Sequence, residues 1–485
     1  MRRDRSGEIQ MDREISELHR VFIDGESCAV HACRVSALPF NVWWQGRQRP
    51  LEQTEEASFV AFPFSGDAEM RVCVKKPFQN AVVRPLSANV RVRKENGCAV
   101  FTIARAGQYV LETDGEHNAL HIFADRAENF AKYGEPTLVF GAGEHRVGKI
   151  ELKSHDRVFM HRDAIVHGSF YAKGATDIRI FGNGIVDGGW ETRKSMHCYE
   201  NYTNGCAKFY ECTDITLDGV VFRDSAIWVV NLFDCEDVSL KNIKLVGHYK
   251  YNTDGVDIVN SRRVIISDCF IRSFDDAITL KGILQYKDKC VEDIRVENTI
   301  CWCGWGRTLE IGLETVAPAY RRISFTDCDL IHNSAVALDI QAGDFAEISD
   351  VTFENVRVEY QSDSLPEVIH NPPEKQYDGF GKRHVPMLFC AENSEYFIND
   401  ENYFWYDDLL KKERKGRAGS LKNVSLIGVR AVGDAGGDLP ALRVQFKAPF
   451  TGEEILVSDL VVFGKKVGKE DCNVEGTHAH LLRFI

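Results

Sequence analysis

Short runs of alternating apolar and polar residues recur through the second half of the chain. Aligned on a preceding Asp, Arg or Asn, they begin at Ile178, Ile215, Val238, Val264, Ile294, Ile323, Val351 and Val424. Two residues on stand Ile180, Leu217, Leu240, Ile266, Val296, Phe325, Phe353 and Leu426, all apolar, and the residues between are mostly Arg, Thr or Ser. A period of two with one apolar face predicts short strands half-buried against a core. Four residues after each start come Gly182, Gly219, Asn242, Asp268, Asn298, Asp327, Asn355 and Gly428, the types that tolerate a left-handed or tight-turn backbone. The next position holds Val220, Ile243, Cys269, Thr299, Cys328, Val356 and Val429, so Cys269 and Cys328 are expected in an internal stack and not as ligands.

From Ile215 to Val351 the starts are 23, 26, 30, 29 and 28 residues apart, which fits a coil of three short strands joined by turns of varying length. A propeller blade needs about 40 residues, and the Leu and Asn framework of leucine-rich repeats is missing. The pattern predicts a parallel β-helix, right-handed by the general chirality of parallel connections. Residues 12–135 lack this register. There, Val90 to Arg93 and Cys98 to Ile103 flank Asn96-Gly97, a dipeptide suited to a tight hairpin, so an N-terminal antiparallel β-sandwich is expected. The chain is thus read as all-β, with a sandwich over 12–135 and a β-helix over 136–485. Tyr360 to Ser420 interrupts the register and contains His370, Tyr377, Arg383, Trp405 and Tyr406. So long an excursion suits either the end wall of a groove or a packing flap.

Charge removes several classes of partner. The net charge is −13, with both signs interspersed and no basic block beyond Lys411 to Arg417, which argues against nucleic acid. No apolar stretch approaches the roughly 18 residues of a membrane span, and Met1 to Gln10 is charged where a secretory signal would be apolar. A cytoplasmic protein is expected. The 15 cysteines are odd in number and scattered, which favours reduced thiols over disulfides. Cys301 and Cys303 lack a second pair at zinc spacing, and Cys28 and Cys33 are likewise isolated.

The chemistry concentrates at Asn252-Thr253-Asp254-Gly255 and at Asp275-Asp276, which begins 21 residues after Asp254. In stacked coils, residues one repeat apart sit roughly 4.8 Å from each other, so the pair would lie beside Asp254. A second strand column runs through Val256 to Asn260, Ala277 to Gly282, Thr308 to Gly312 and Ala337 to Gln341. It turns Asp257, Thr279, Lys281, Glu310, Asp339 and Gln341 outward. So many polar groups on rigid strands suit either a saccharide groove or an ordinary solvated face. Glycoside hydrolysis needs one carboxyl group to protonate the leaving oxygen and another to activate water or attack carbon. Neighbouring carboxylates supply that difference by repulsion.

These residues resemble the signature of glycoside hydrolase family 28, the polygalacturonases and their relatives. Further matches are Gly182-Asn183-Gly184-Ile185-Val186-Asp187-Gly188 and Asp224-Ser225-Ala226-Ile227-Trp228, and the resemblance covers roughly residues 140–360. It implies an inverting hydrolase on a right-handed parallel β-helix. Asp275 would be the general acid, Asp254 and Asp276 would position and deprotonate the attacking water, and Asn252 would orient the site. Trp228, Lys281, Arg307, Glu310, Asp339 and Gln341 are the expected substrate-binding set. A sandwich joined to a β-helix also resembles, at the level of architecture, the family 49 dextranases and isopullulanases.

Two departures bear on the substrate. The histidine of the family's Gly-His-Gly corresponds to Arg307, and its Arg-Ile-Lys falls on Asp339-Ile340-Gln341. Replacing uronate-binding cations by Asp and Gln removes charge complementarity to polygalacturonic acid. A neutral glycan or short oligosaccharide is therefore expected as the substrate, with no metal or organic cofactor. The alternatives are a polysaccharide lyase and a glycan-binding β-helix without catalysis.

Overall fold

The computed structural model describes residues 15–36, 54–193, 203–361, 385–393, 413 and 417–485. His370, Tyr377, Arg383, Trp405, Tyr406 and most of Lys411 to Arg417 lie outside the described residues.

The apolar columns pair as expected. Ile178 lies opposite Ile215, then Val238, Val264, Ile294, Ile323, Val351 and Val424 follow in parallel register. The stack continues through Ile455 to Leu482, two coils beyond the last start read from the sequence. Each coil contributes three strands, for example Thr213–Asp218, Val221–Arg223 and Val230–Phe233. The first strand of each coil joins one parallel sheet, and the other two join a second, continuous one. The result is a right-handed parallel β-helix whose interior is a single apolar column. Cys269 and Cys328 lie inside it, where burial pushes both thiols up to about 12.

Bends and strand starts are fixed by backbone chemistry. Gly182, Gly219, Asn242, Asp268, Asn298, Asp327, Asn355 and Gly428 all have positive φ, as their residue types predict. The residue before each start is left-handed too: Asp177, Asp214, Asp237, Arg263, Asp293, Arg322, Asp350 and Asn423. Such a conformation is uncommon for arginine. Charge pairing between coils accompanies it here, because Arg263 Nε donates to Asp237 at 2.7 Å and Arg322 Nε to Asp293 at 2.6 Å.

Before the helix, two five-stranded sheets face one another. One runs in the order Glu26–Cys28, His19–Ile23, Ala68–Val74, Cys98–Ile103, Arg93–Glu95. The other runs His31–Ser36, Thr54–Phe64, Leu120–Arg126, Gly107–Thr113, Ala81–Arg84. These sheets form the expected antiparallel sandwich, with one parallel pairing in it, between Thr54–Phe64 and Leu120–Arg126. The hairpin turns at Asn96 and Gly97, both at positive φ, but its first strand is Arg93–Glu95. Val90 and Val92 pack instead against the sandwich core. The expectation of reduced thiols throughout is also corrected. Cys73 and Cys98 stand opposite one another on adjacent antiparallel strands and are disulfide-bonded, a proximity that their 25-residue separation hides.

The second sheet is buried on both faces. Val60, Leu111 and Ile122 point into the sandwich, whereas Phe59, Val110 and Phe123 pack on Val221, Val246, Phe270 and Trp302 of the helix. Charged pairs cross the same seam. Lys244 Nζ donates to Asp125 Oδ1 at 2.5 Å, with the two side chains 0 % and 3 % exposed, and Arg84 bridges Glu112 and Glu359.

Removing one partner of a buried pair leaves an uncompensated charge. Asp125→Ala is therefore expected to lower unfolding stability by about 3–5 kcal/mol, and the double variant Asp125→Ala/Lys244→Met to recover most of it. Urea denaturation of both variants checks this; equal losses would show that Lys244 is satisfied without Asp125.

Candidate active site

Lateral stacking assembles the carboxylates. Val256 pairs with Ile278 and Ile278 with Leu309, so the residues just before these strands, Asp254, Asp276 and Arg307, occupy equivalent places in three successive coils. Backbone bonds fix the row: the Gly255 N–H donates to the Asp276 carbonyl at 2.8 Å, and the Ala277 N–H to that of Arg307 at 2.9 Å. Asp275 is tied down as well, its carbonyl accepting from Ser273 Oγ at 2.5 Å and from Cys303 Sγ at 3.4 Å. Its Oδ1 accepts from the Asp276 N–H at 3.2 Å. Glycine is required at 306, because a Cβ there would stand 2.3 Å from Asp276 Oδ1 and 2.8 Å from Asp275 Oδ1.

Lys281 is the cation of this cluster. Its Nζ lies 3.5 Å from Asp254, 3.5 Å from Asp276, 3.7 Å from Glu314 and 4.0 Å from Asp257. Burial alone would lower its proton affinity, but these acids outweigh it and hold Lys281 charged well above the ordinary lysine range. Arg307 supplies the second cation, with Nε 3.6 Å from Asp339 and 3.9 Å from Glu310. Its backbone N–H also donates to Asp276 Oδ1 at 2.8 Å.

Two cations cannot neutralise Asp254, Asp257, Asp275, Asp276, Glu310, Glu314 and Asp339. The acids consequently diverge. Burial works against ionisation of Asp276, yet Lys281 and Arg307 prevail and hold it below the usual carboxylate range. Asp254 is driven well upward by burial and by Asp257 and Asp275, and Asp257 by burial despite Lys281. Asp339 is pushed up to about 8, chiefly by burial, against the pull of Arg307. Neighbouring carboxyls whose proton affinities are driven apart have the division that acid/base catalysis uses.

The sequence-derived set is thus brought together, with differences in placement. Val256, Ile258, Ile278, Leu280, Leu309, Ile311, Leu338 and Ile340 point inward as expected. The outward row is not a solvated face: Asp257, Thr279, Glu310 and Asp339 are 0 % exposed. Trp228 is buried too. It stacks near Phe233 beneath Lys281, whose Nζ lies 5.1 Å from the indole centre, so in this structure it supports the lysine. Asn252 adopts φ 55° and accepts from Arg193 at 3.0 Å. Gln341 Nε2 donates to Asp339 at 2.9 Å.

The sequence reading missed the parts played by Asp257, Glu314, Arg193 and Gly306. Asp257 was legible as an outward residue of the second column, but nothing in its spacing shows that it faces Lys281. Glu314 likewise lies beside Lys281, a proximity that its place in the sequence does not show.

Residues 149–371 match the family model for glycosyl hydrolases family 28. A probable polygalacturonase of Arabidopsis thaliana is 23 % identical over 205 residues, 40 % of this chain and 44 % of the relative. A probable rhamnogalacturonase A of Aspergillus oryzae is 28 % identical over 109 residues, 22 % of each chain. The first two curated relatives are thus covered over less than half of their length. The two-part fold is similar to Dex49A from Penicillium minioluteum, with a TM-score of 0.62 at 14 % identity over 98 % of this chain and 95 % of that one.

Asp339 generates a pH test. A carboxyl whose folded-state pKa is raised gives stability that is fully present below its unfolded value near 4 and lost as pH rises through about 8. Asp339→Asn should flatten the fall of stability between pH 5 and 8 by up to about 1.4 kcal/mol per pH unit. Urea midpoints across that range measure it; an unchanged slope would mean that Asp339 is ionised in the folded protein.

Proposed function

On the premise of a family 28-like chain with a family 49-like framework, we propose that this protein is an inverting glycoside hydrolase acting on a neutral oligo- or polysaccharide. The observation that carries the reading is the stacking of Asp254 beside Asp276 in successive coils with Lys281 Nζ 3.5 Å from each, which draws Asp276 below the usual carboxylate range while burial, Asp257 and Asp275 drive Asp254 well above it. In the proposed reaction Asp275 delivers its proton to the glycosidic oxygen as the bond to the anomeric carbon breaks. A water held between Asp254 and Asp276 attacks that carbon from the opposite face, and its proton passes to Asp276. Asn252, two residues before Asp254 and held by Arg193, is assigned the orienting role.

The preference for a neutral sugar follows from charge. Where polygalacturonases place cations, this chain has Asp339 and Gln341, and Arg307 is already engaged by Asp339 and Glu310. A uronate would approach a cluster in which carboxylates outnumber cations, at a cost in repulsion and desolvation. We place the reaction in the cytoplasm. The unpaired thiols of the described residues support this, and the Cys73–Cys98 bond does not.

Asp275→Asn is expected to lower kcat by about 10²–10⁴-fold with an unchanged thermal transition, since it keeps the shape and removes the proton. NMR of the first product should show the inverted anomer. Full activity in the variant, or initial release of the retained anomer, would sink the mechanism. In a glycan panel, neutral glycans should yield reducing ends and polygalacturonate none. Faster cleavage of polygalacturonate would overturn the substrate class, and unsaturated products absorbing in the ultraviolet would identify a lyase.

A further inference from the structure

Glu310 is not explained by the reaction just described. It sits in the strand Arg307–Thr315, fully buried, in register between Thr279 on one side and Asp339 on the other. Among the described residues, no N–H or O–H donates a hydrogen bond to either of its oxygens. The Thr279 hydroxyl, the nearest candidate by register, donates instead to the Gly312 carbonyl at 2.9 Å. Arg307 Nε remains 3.9 Å away and is closer to Asp339. Arg307 brings the Glu310 and Asp276 carboxyls to the same place, its Nε facing Glu310 and its N–H donating to Asp276 Oδ1 at 2.8 Å, and a hydrogen bond with Glu310 is among the causes that hold the proton affinity of Asp276 down.

Two carboxylates in a dry site cannot share a hydrogen bond unless one carries a proton. The surroundings decide which. Asp276 has the Arg307 N–H and the Lys281 ammonium, so it is the better anion. Glu310 faces Asp276 from the preceding coil, Asp339 from the following one, and only the more distant charges of Arg307 and Lys281, and burial with Asp276 first among the acids pushes its proton affinity well up. Asp339, on the following coil, turns its Oδ2 to Arg307 and to the Gln341 amide.

We propose that Glu310 is a positioning residue that shares its proton with Asp276, holding that carboxylate ionised and oriented as the acceptor for the proton of the attacking water. The carboxylic acid of Glu310 donates through its O–H to the Asp276 carboxylate in the resting protein. As Asp276 takes up the water proton, the hydrogen bond persists with the pair one proton richer, and release of that proton to solvent resets it. The role in turnover rests on the hydrolase reading; the shared proton does not.

The test uses the full chain with ¹³C-labelled glutamate carboxyls and has two arms. Infrared difference spectra at pH 7 should show a protonated-carboxyl band at the ¹³C position that Glu310→Gln removes. Glu310→Asp should move it to the unlabelled position, so either variant decides if the other fails to fold. No change in that band would overturn the proposal.

In the kinetic arm, Glu310→Gln, which can still donate to Asp276, should keep kcat within about 10-fold. Glu310→Leu should lower kcat by about 10²-fold at unchanged KM and shift the acid limb of the kcat/KM profile upward. Equal losses in Gln and Leu variants, or an unmoved acid limb in Leu, would overturn the role in turnover. If no glycan is hydrolysed by the unaltered protein, the hydrolase reading falls with that role, and the infrared band still decides the shared proton.

Discussion

Everything in the β-helix depends on one constraint: each residue stands directly above its equivalent in the preceding coil, one strand spacing away. Inside, this turns Ile, Val and Leu into continuous apolar columns that require no long-range ingenuity from the sequence. Outside, the same constraint forces like against like. Before the strand starts from Asp237 to Asp350 the chain meets it by alternating sign, with Arg263 between Asp237 and Asp293 and Arg322 between Asp293 and Asp350. At the active site it does not alternate, and Asp254 and Asp276 are stacked as neighbours.

Stacking acids in a dry place is unfavourable unless protons or cations intervene. Here both do. Lys281 and Arg307 are few and central, so each acid receives a different share of their charge, and proton affinity varies from one coil to the next. Aspartates that are chemically alike are thereby made functionally unlike by position alone.

The sequence was informative wherever structure followed from local repetition. The apolar columns, the left-handed bends at Gly182 through Gly428 and the adjacency of Asp254 to Asp275-Asp276 are consequences of a register that can be counted. Features that depend on the third dimension were not legible. Cys73 and Cys98 meet because two strands of a sandwich happen to align them, and the parallel pairing of Thr54–Phe64 with Leu120–Arg126 has no sequence signal of its own. The outward row, read as either a saccharide groove or a solvated face, is buried at Asp257, Thr279, Glu310 and Asp339, since periodicity tells which side a residue faces but not what covers that side. Trp228 is the same lesson in one side chain: the motif located it, and packing placed it under Lys281.

The sheet containing Phe59, Val110 and Phe123 has no free face, since one side closes the sandwich and the other closes a flank of the helix. The chain crosses from one architecture to the other between Arg126 and Leu138, but the hydrophobic interior has no matching break. A gene fragment cut at that point would encode a helix with a bare greasy flank, with Lys244 lacking Asp125 and Glu359 lacking Arg84. The N-terminal unit is therefore an outer wall of the helix and not a detachable cassette.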